Sequence, residues 1–207
     1  MKRILFALAV LVLASLACSA LTGGPAPTTA PVQQDKQVLF QDDFSNPNSG
    51  WPNSSDADKT ANYSADGKYA VEAITTQQDV WAHPGQNFND VRVEVDATKT
   101  GGPDNNGFGV ICRFQDNDNF YYFMVSSDGY QVIGKYQGGQ NKYLSAEKMQ
   151  PTSAITAGNA TTHVRGDCKG STLTLYANGE QLSSITDTSF TGGDVGVIVG
   201  TFDEPNV

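Results

Sequence analysis

The chain has 207 residues, 39% of them hydrophobic and 21 of them glycine, a length that fits one domain with an appendage. Thirteen Lys and Arg face 22 Asp and Glu, for a formal net charge of -9. Binding to phosphates draws on Lys and Arg, so this balance argues against DNA, RNA and anionic lipid surfaces as partners.

The N-terminus, "MKRILFALAVLVLASLACSA", carries a positive start at Lys2 and Arg3, then an apolar run from Ile4 to Leu16, then small residues around Cys18. This is the pattern of a secretory leader with a signal helix, too short to span a bilayer. Ser15-Leu16-Ala17-Cys18 is lipobox-like, which makes residues 1–18 a signal peptide and Cys18 the lipid-bearing mature N-terminus. The competing expectation is ordinary cleavage near Ala17 or Ala20, which would release a secreted protein. Residues 19–37 are rich in Pro, Thr, Ala and Gln, with no apolar period, and read as a disordered linker. At ~3.1 Å per residue such a tether reaches roughly 50 Å, enough to hold a domain clear of lipid headgroups.

From Val38 the pattern becomes short alternating runs. In "VRVEVDA" Val91, Val93 and Val95 share one face and Arg92, Glu94 and Asp96 the other. In "STLTLYANG" Leu173 and Leu175 oppose Thr172, Thr174 and Tyr176. Period two with one polar face predicts half-buried antiparallel strands. The same reading gives strands over Val38–Phe44, Lys68–Thr75, Gly107–Phe114, Asn119–Ser126, Tyr130–Tyr136, Thr161–Cys168, Glu180–Ile185 and Asp194–Thr201. Asp66-Gly67, Asp128-Gly129, Asn178-Gly179 and Gly192-Gly193 supply turns. No segment after the leader has a helical period, so the expected fold is an all-β sandwich or barrel. Residues 104–136 read as a three-stranded meander, apolar on both faces of its first two strands and therefore central.

Three cysteines are present. With Cys18 lipidated, Cys112 and Cys168 remain, and in an oxidising compartment they pair as a disulfide. Zinc is the rival, but His83 and His163 sit in no ligand spacing.

The segments "DDFSNPNSGW", "DVRVEVDATK", "NNGFGVICRFQDNDNFYYFMVSSDGY", "LTLYANG" and "GDVGVIVGTFDEP" together resemble concanavalin A-like lectin/glucanase jelly rolls, in particular the laminin-G-like and 3-keto-disaccharide hydrolase-like domains of bacterial surface lipoproteins. The resemblance covers residues 38–207 and implies an antiparallel two-sheet jelly-roll sandwich whose concave face binds sugar in many members. Such domains close with a strand that begins Phe-Asp-Asn-Phe. Here the chain reads "FDEPNV", so the expectation is that the last strand is lacking or lies beyond this sequence.

Laminarinases of this superfamily carry Glu-x-Asp-x-Glu on one strand face. Glu94 and Asp96 match two positions, but Thr98 or Lys99 stands where the acid/base belongs. A retaining glycosidase needs both carboxyls, so no catalytic residue is assigned. Asp116 and Asp118 begin like a calcium loop, but Tyr121 and Ser127 stand where Gly and a bidentate Glu are required. Asp42 and Asp43 remain calcium candidates, with Asp43 as the named ligand, because calcium often clips the first strand of these jelly rolls. A turn role is the alternative, and no other cofactor is expected.

Trp51, Trp81, Tyr121, Tyr136 and Tyr143 are rings able to stack on sugars, each also open to a packing role. Trp81, Gln140, Asn141 and Tyr143 form the expected ligand-binding set, with Tyr143 as the exposed ring. The expected function is a non-catalytic, extracytoplasmic module that binds a neutral glycan or a surface protein and is anchored by lipid. The alternatives are a sugar-acting hydrolase and a protein–protein adhesion module.

Overall fold

The alternating runs form strands, and their turn residues let successive strands fold back antiparallel. The computed structural model describes residues 37–207. The leader, Cys18 and linker residues 19–36 lie outside the described residues. In chain order the strands are β1 (Ser54–Ser55), β2 (Lys59–Tyr63), β3 (Tyr69–Ala73), β4 (Asp79–Ala82), β5 (Val91–Thr98), β6 (Gly107–Asp116) and β7 (Asn119–Ser126). They continue with β8 (Tyr130–Gln137), β9 (Gln140–Tyr143), β10 (Gln150–Pro151), β11 (Thr161–Lys169), β12 (Thr172–Ala177), β13 (Glu180–Thr186) and β14 (Asp194–Gly200). There is no helix among the described residues.

Every strand pairing is antiparallel. A seven-stranded sheet runs β10-β8-β7-β6-β14-β4, with β9 paired to β8; a four-stranded sheet runs β13-β12-β11-β5; β1, β2 and β3 form a small third sheet. The jelly-roll sandwich is therefore present, and the β6-β7-β8 meander falls in the middle of the larger sheet.

The core lies between the two large sheets. Val110 and Cys112 of β6, Tyr121, Phe123 and Val125 of β7 and Ile133 of β8 meet Val164, Cys168, Leu173 and Leu175 of the opposing sheet, all fully buried. Cys112 and Cys168 are joined as a disulfide, covalently linking β6 to β11 and so one sheet to the other. The alternate residues of β6, β7 and β8 point to the opposite face, where Ile111, Phe120, Tyr122, Met124 and Val132 build a second apolar layer on the seven-stranded sheet alone. Both faces of these strands thus carry buried apolar side chains, which is why their sequence is apolar throughout.

A bulge interrupts β6 after Cys112. Arg113 sits there at φ 51°, and its 1%-exposed guanidinium donates to the carbonyls of Asn89, Phe190 and Gly170. A buried cation is tolerated because its donors end on fixed carbonyls and, at 3.4 Å, on the Asp90 carboxylate, so that three loops are tied to one side chain. Local periodicity carries no sign of this role.

The expected strand Val38–Phe44 is absent; those residues carry no strand structure. The Asp42 and Asp43 carboxylates accept the backbone N–H groups of Phe44 and Ser45 at 2.8 and 3.0 Å, and Phe44 turns to φ 61°. Such side-chain capping competes with a sheet ladder for the same donors. Strands β1, β2, β4, β9 and β10 were not expected, because each has five residues or fewer and offers too short a run to show alternation. Trp51 packs 5.3 Å from both Phe44 and Tyr69, a structural position beside the small sheet.

Candidate functional site

The outer face of the seven-stranded sheet gathers an aromatic strip. Alternation in β4 sends Asp79 and Trp81 to this face and Val80 to the other; in β8 it sends Tyr136, and in β9 Asn141 and Tyr143. Register completes the arrangement: Tyr136 lies opposite both Phe120 and Asn141, and Gly134 opposite both Tyr122 and Tyr143. The Trp81 ring lies 4.9 Å from Phe120 and 5.7 Å from Tyr136, and Phe120 stacks on Tyr136 at 4.9 Å. Phe120 is buried beneath, while Trp81, Tyr136 and Tyr143 are half-buried and present ring edges and faces to solvent.

Polar groups are threaded between the rings. Tyr136 donates to Asp79 Oδ2 at 2.6 Å, Tyr122 donates to Asn141 Oδ1 at 2.7 Å, and Asn141 Nδ2 reaches Asp79 Oδ2 at 3.4 Å. Trp81 Nε1 donates to Asn117 Oδ1 at 3.2 Å, which holds the indole in place. Burial raises the Asp79 carboxyl above its ordinary range, and the Tyr136 hydrogen bond draws it only partly back. Burial also pushes the Tyr122, Tyr136 and Tyr143 phenols up, with the nearby Asp79 charge adding to it. These hydroxyls therefore stay protonated as donors. A desolvated carboxylate with no cationic partner among the described residues, framed by phenols and an amide, makes this strip a candidate polar site.

Three of the four expected binding residues, Trp81, Asn141 and Tyr143, converge on this strip. Asn141 is exposed as expected, but Tyr143 is not the free ring that its polar neighbours suggest. It is half-buried against the second apolar layer. Gln140 is exposed and pairs with Gln137 where β8 turns into β9; no hydrogen bond ties its side chain to Asp79 or Asn141. Tyr121 points the other way, into the inter-sheet core, where its hydroxyl donates to Asp187 at 2.6 Å. Asp79 was missed, since a lone Asp before "VWA" looks like any turn residue. No local pattern connects it to Tyr136 and Asn141, 57 and 62 positions away.

Glu94 and Asp96 lie elsewhere. Their strand packs Val91, Val93 and Val95 inward, so both carboxylates face solvent on the four-stranded sheet. Glu94 neighbours Arg92 and Arg165 at 3.9 and 3.8 Å, and Asp96 meets His163 at 2.7 Å. The Asp43 carboxylate is engaged in its own turn. Among the described residues no group of three or more His, Cys, Asp or Glu side chains is placed to hold a metal ion.

No protein-family model matches the chain, and no curated protein is similar to it in sequence. Solved structures do share its fold. A carbohydrate-binding module, CBM66 from Bacillus subtilis, is 17% identical with a TM-score of 0.60, over 77% of this chain and 91% of that one. A protein of unknown function with a galectin-like fold from Bacillus subtilis is 10% identical with a TM-score of 0.55, over 82% and 91%. The β-glucanase of Bacillus licheniformis is 14% identical with a TM-score of 0.53, over 77% and 82%. At these identities the likeness is one of architecture: the chain has the jelly-roll sandwich that lectin-like and glucanase folds have in common.

Proposed function

We propose that the chain is a carbohydrate-binding module that takes a neutral glycan along the Trp81–Tyr136–Tyr143 strip. The observation that carries this reading is the combination of half-buried rings with Asp79 and Asn141 on one open sheet face. Sugar rings offer apolar C–H faces to aromatic surfaces and hydroxyls that both donate and accept, and the strip supplies partners for each. The acidic net charge disfavours polyanionic sugars. That the fold is shared with a carbohydrate-binding module agrees with this reading.

Binding is favoured over hydrolysis. Glycoside hydrolysis by the usual routes needs two carboxyls flanking one bond. In the strip's hydrogen-bonded cluster Asp79 is the one carboxylate, and Glu94 and Asp96 face solvent on the other sheet among basic groups. Calorimetry of the full chain against β-glucan, xylan, galactan and fructan tests the reading. Binding to at least one of them is expected, weakened roughly tenfold or more in a Trp81→Ala, Tyr143→Ala double variant. A double variant that binds as tightly as the parent removes the strip, and silence toward every polysaccharide leaves the protein-adhesion alternative in front.

The leader and the Pro/Thr-rich tether support an extracytoplasmic domain anchored through lipid on Cys18. Mass spectrometry of the mature protein checks this. An N-terminal Cys18 carrying acyl chains is expected, and an unmodified terminus at Ser19 or later contradicts it.

A further inference from the structure

The aromatic strip does not stop at Trp81. Phe120 lies 5.5 Å from Phe114, and Phe114 lies 4.2 Å from the ring of His83, which follows β4 in the same alternation as Asp79 and Trp81. Beyond Phe114 the surface opens into a cleft of about 580 Å³, within the roughly 300–1,000 Å³ typical of small-molecule sites.

The cleft is built around a fixed imidazole. Asp194 is buried, and its carboxylate accepts the backbone N–H groups of Gly85, Gln86 and Val195 at 2.6, 2.8 and 2.8 Å. Its Oδ2 also lies 2.8 Å from His83 Nδ1. An ionised carboxylate only accepts, so His83 donates through Nδ1 and its ring is held in a fixed orientation where it lines the cleft. Three backbone amides and the imidazole occupy the Asp194 charge, and no other ionic side chain contributes to the lining. The rim is made of amides and a hydroxyl: Gln86, Asn87, Asn89, Gln115 and Thr191. Gln86 and Asn87 are exposed.

We infer that this cleft is a second sugar subsite, which takes the end of a neutral oligosaccharide whose remaining units lie along the Trp81 strip. The inference rests on the proposed function of the strip and extends it to a stated ligand: an uncharged chain of several sugars, held by its end. The chemistry matches on three counts. A Phe114 and His83 floor suits an apolar sugar face. Side-chain amides match hydroxyls that donate and accept at once. The lack of a free cationic group disfavours phosphates and carboxylates, while the lack of a large apolar wall disfavours lipid.

The test is affinity as a function of chain length. Oligosaccharide ladders from β-glucan, xylan, galactan and fructan are titrated into the full chain, its Gln86→Ala, Asn87→Ala double variant and a His83→Gln variant. The parent is expected to gain affinity with length. Loss of the amides should remove about 3- to 10-fold of that gain on long oligosaccharides, with short ones bound as before. His83→Gln should act in the same direction, and because Gln86 and Asn87 are exposed, their variant reads the cleft even if His83→Gln perturbs the loop. Trp81→Ala should weaken short and long ligands alike. If Trp81→Ala weakens binding while the amide double variant keeps the parent's length dependence, the strip stands and the cleft inference is overturned. If the parent binds no member of any ladder, both readings fall together.

Discussion

Asp79 is where the chemistry of this surface concentrates. Its carboxyl is raised by burial, so the folded state holds its proton more tightly than the unfolded chain does. The stability this contributes is fully present below the ordinary carboxylate value of 3.8 and is lost as pH rises through the raised value. At neutral pH the charged form is therefore a burden on the fold, a cost that the proposed glycan site would account for. Asp79→Asn keeps the shape and an acceptor for the Tyr136 hydroxyl but removes the charge. Thermal unfolding should show this variant at least as stable as the parent at pH 7, with a flatter decline between mildly acidic and neutral pH. Calorimetry should show weaker glycan binding. A variant that is destabilised at neutral pH and binds unchanged would assign Asp79 to the fold instead.

At the scale of single strands, glycines decide which side chains can lie flat. A Cβ on Gly134 of β8 would stand 2.2 Å from Tyr122 Cζ and 2.3 Å from its hydroxyl oxygen. The Tyr122 ring lies across that bare backbone, and only there does its hydroxyl reach Asn141 at 2.7 Å. Gly134→Ala must push the ring aside and break this bond, at a cost of about 1–3 kcal/mol as overpacking. Gly101 has nothing within 4 Å of a built Cβ, so Gly101→Ala should change stability by no more than about 0.5 kcal/mol. Denaturant unfolding of the two variants makes the comparison. The Asx-type capping at Asp42 and Asp43 is the opposite case. There the side chains win the backbone donors, and a segment with strand-like composition stays out of the sheets.

In the whole molecule the two large sheets are held by one buried core and one covalent link. The Cys112–Cys168 disulfide joins residues 56 positions apart across the sandwich. Closing a loop of that length restricts the unfolded chain, so a Cys112→Ala, Cys168→Ala double variant should lose about 2–5 kcal/mol of stability. The midpoint of denaturant unfolding is the measurement, and an unchanged midpoint would mean that packing alone sets the stability. Reduction should act the same way. The site strip lies on the outer face of the seven-stranded sheet, away from the disulfide, so glycan binding by whatever fraction remains folded should persist.

Much of this architecture was readable in advance because it depends on local chemistry. Period-two alternation in Val91–Thr98 and Thr172–Ala177 names a strand and its buried face at once. The doubly apolar β6 and β7 announce central strands, and Asp-Gly and Asn-Gly pairs mark where the chain turns. The pairing of Cys112 with Cys168 needed only a count of cysteines, once the leader-like N-terminus was read as setting Cys18 apart. The site was legible only in fragments. Trp81, Asn141 and Tyr143 could be named as residue types suited to sugar, but Asp79, Tyr122 and the caged His83 could not be joined to them. β4 reaches the sheet edge only through β14, more than a hundred residues later in the chain, and β9 arrives by folding back on β8. A binding surface depends on which strands become neighbours and in what register, and long-range packing settles both. The residues between Asp79 and Asn141 say how each strand is made, and only the folded sheet brings the two side chains within 3.4 Å.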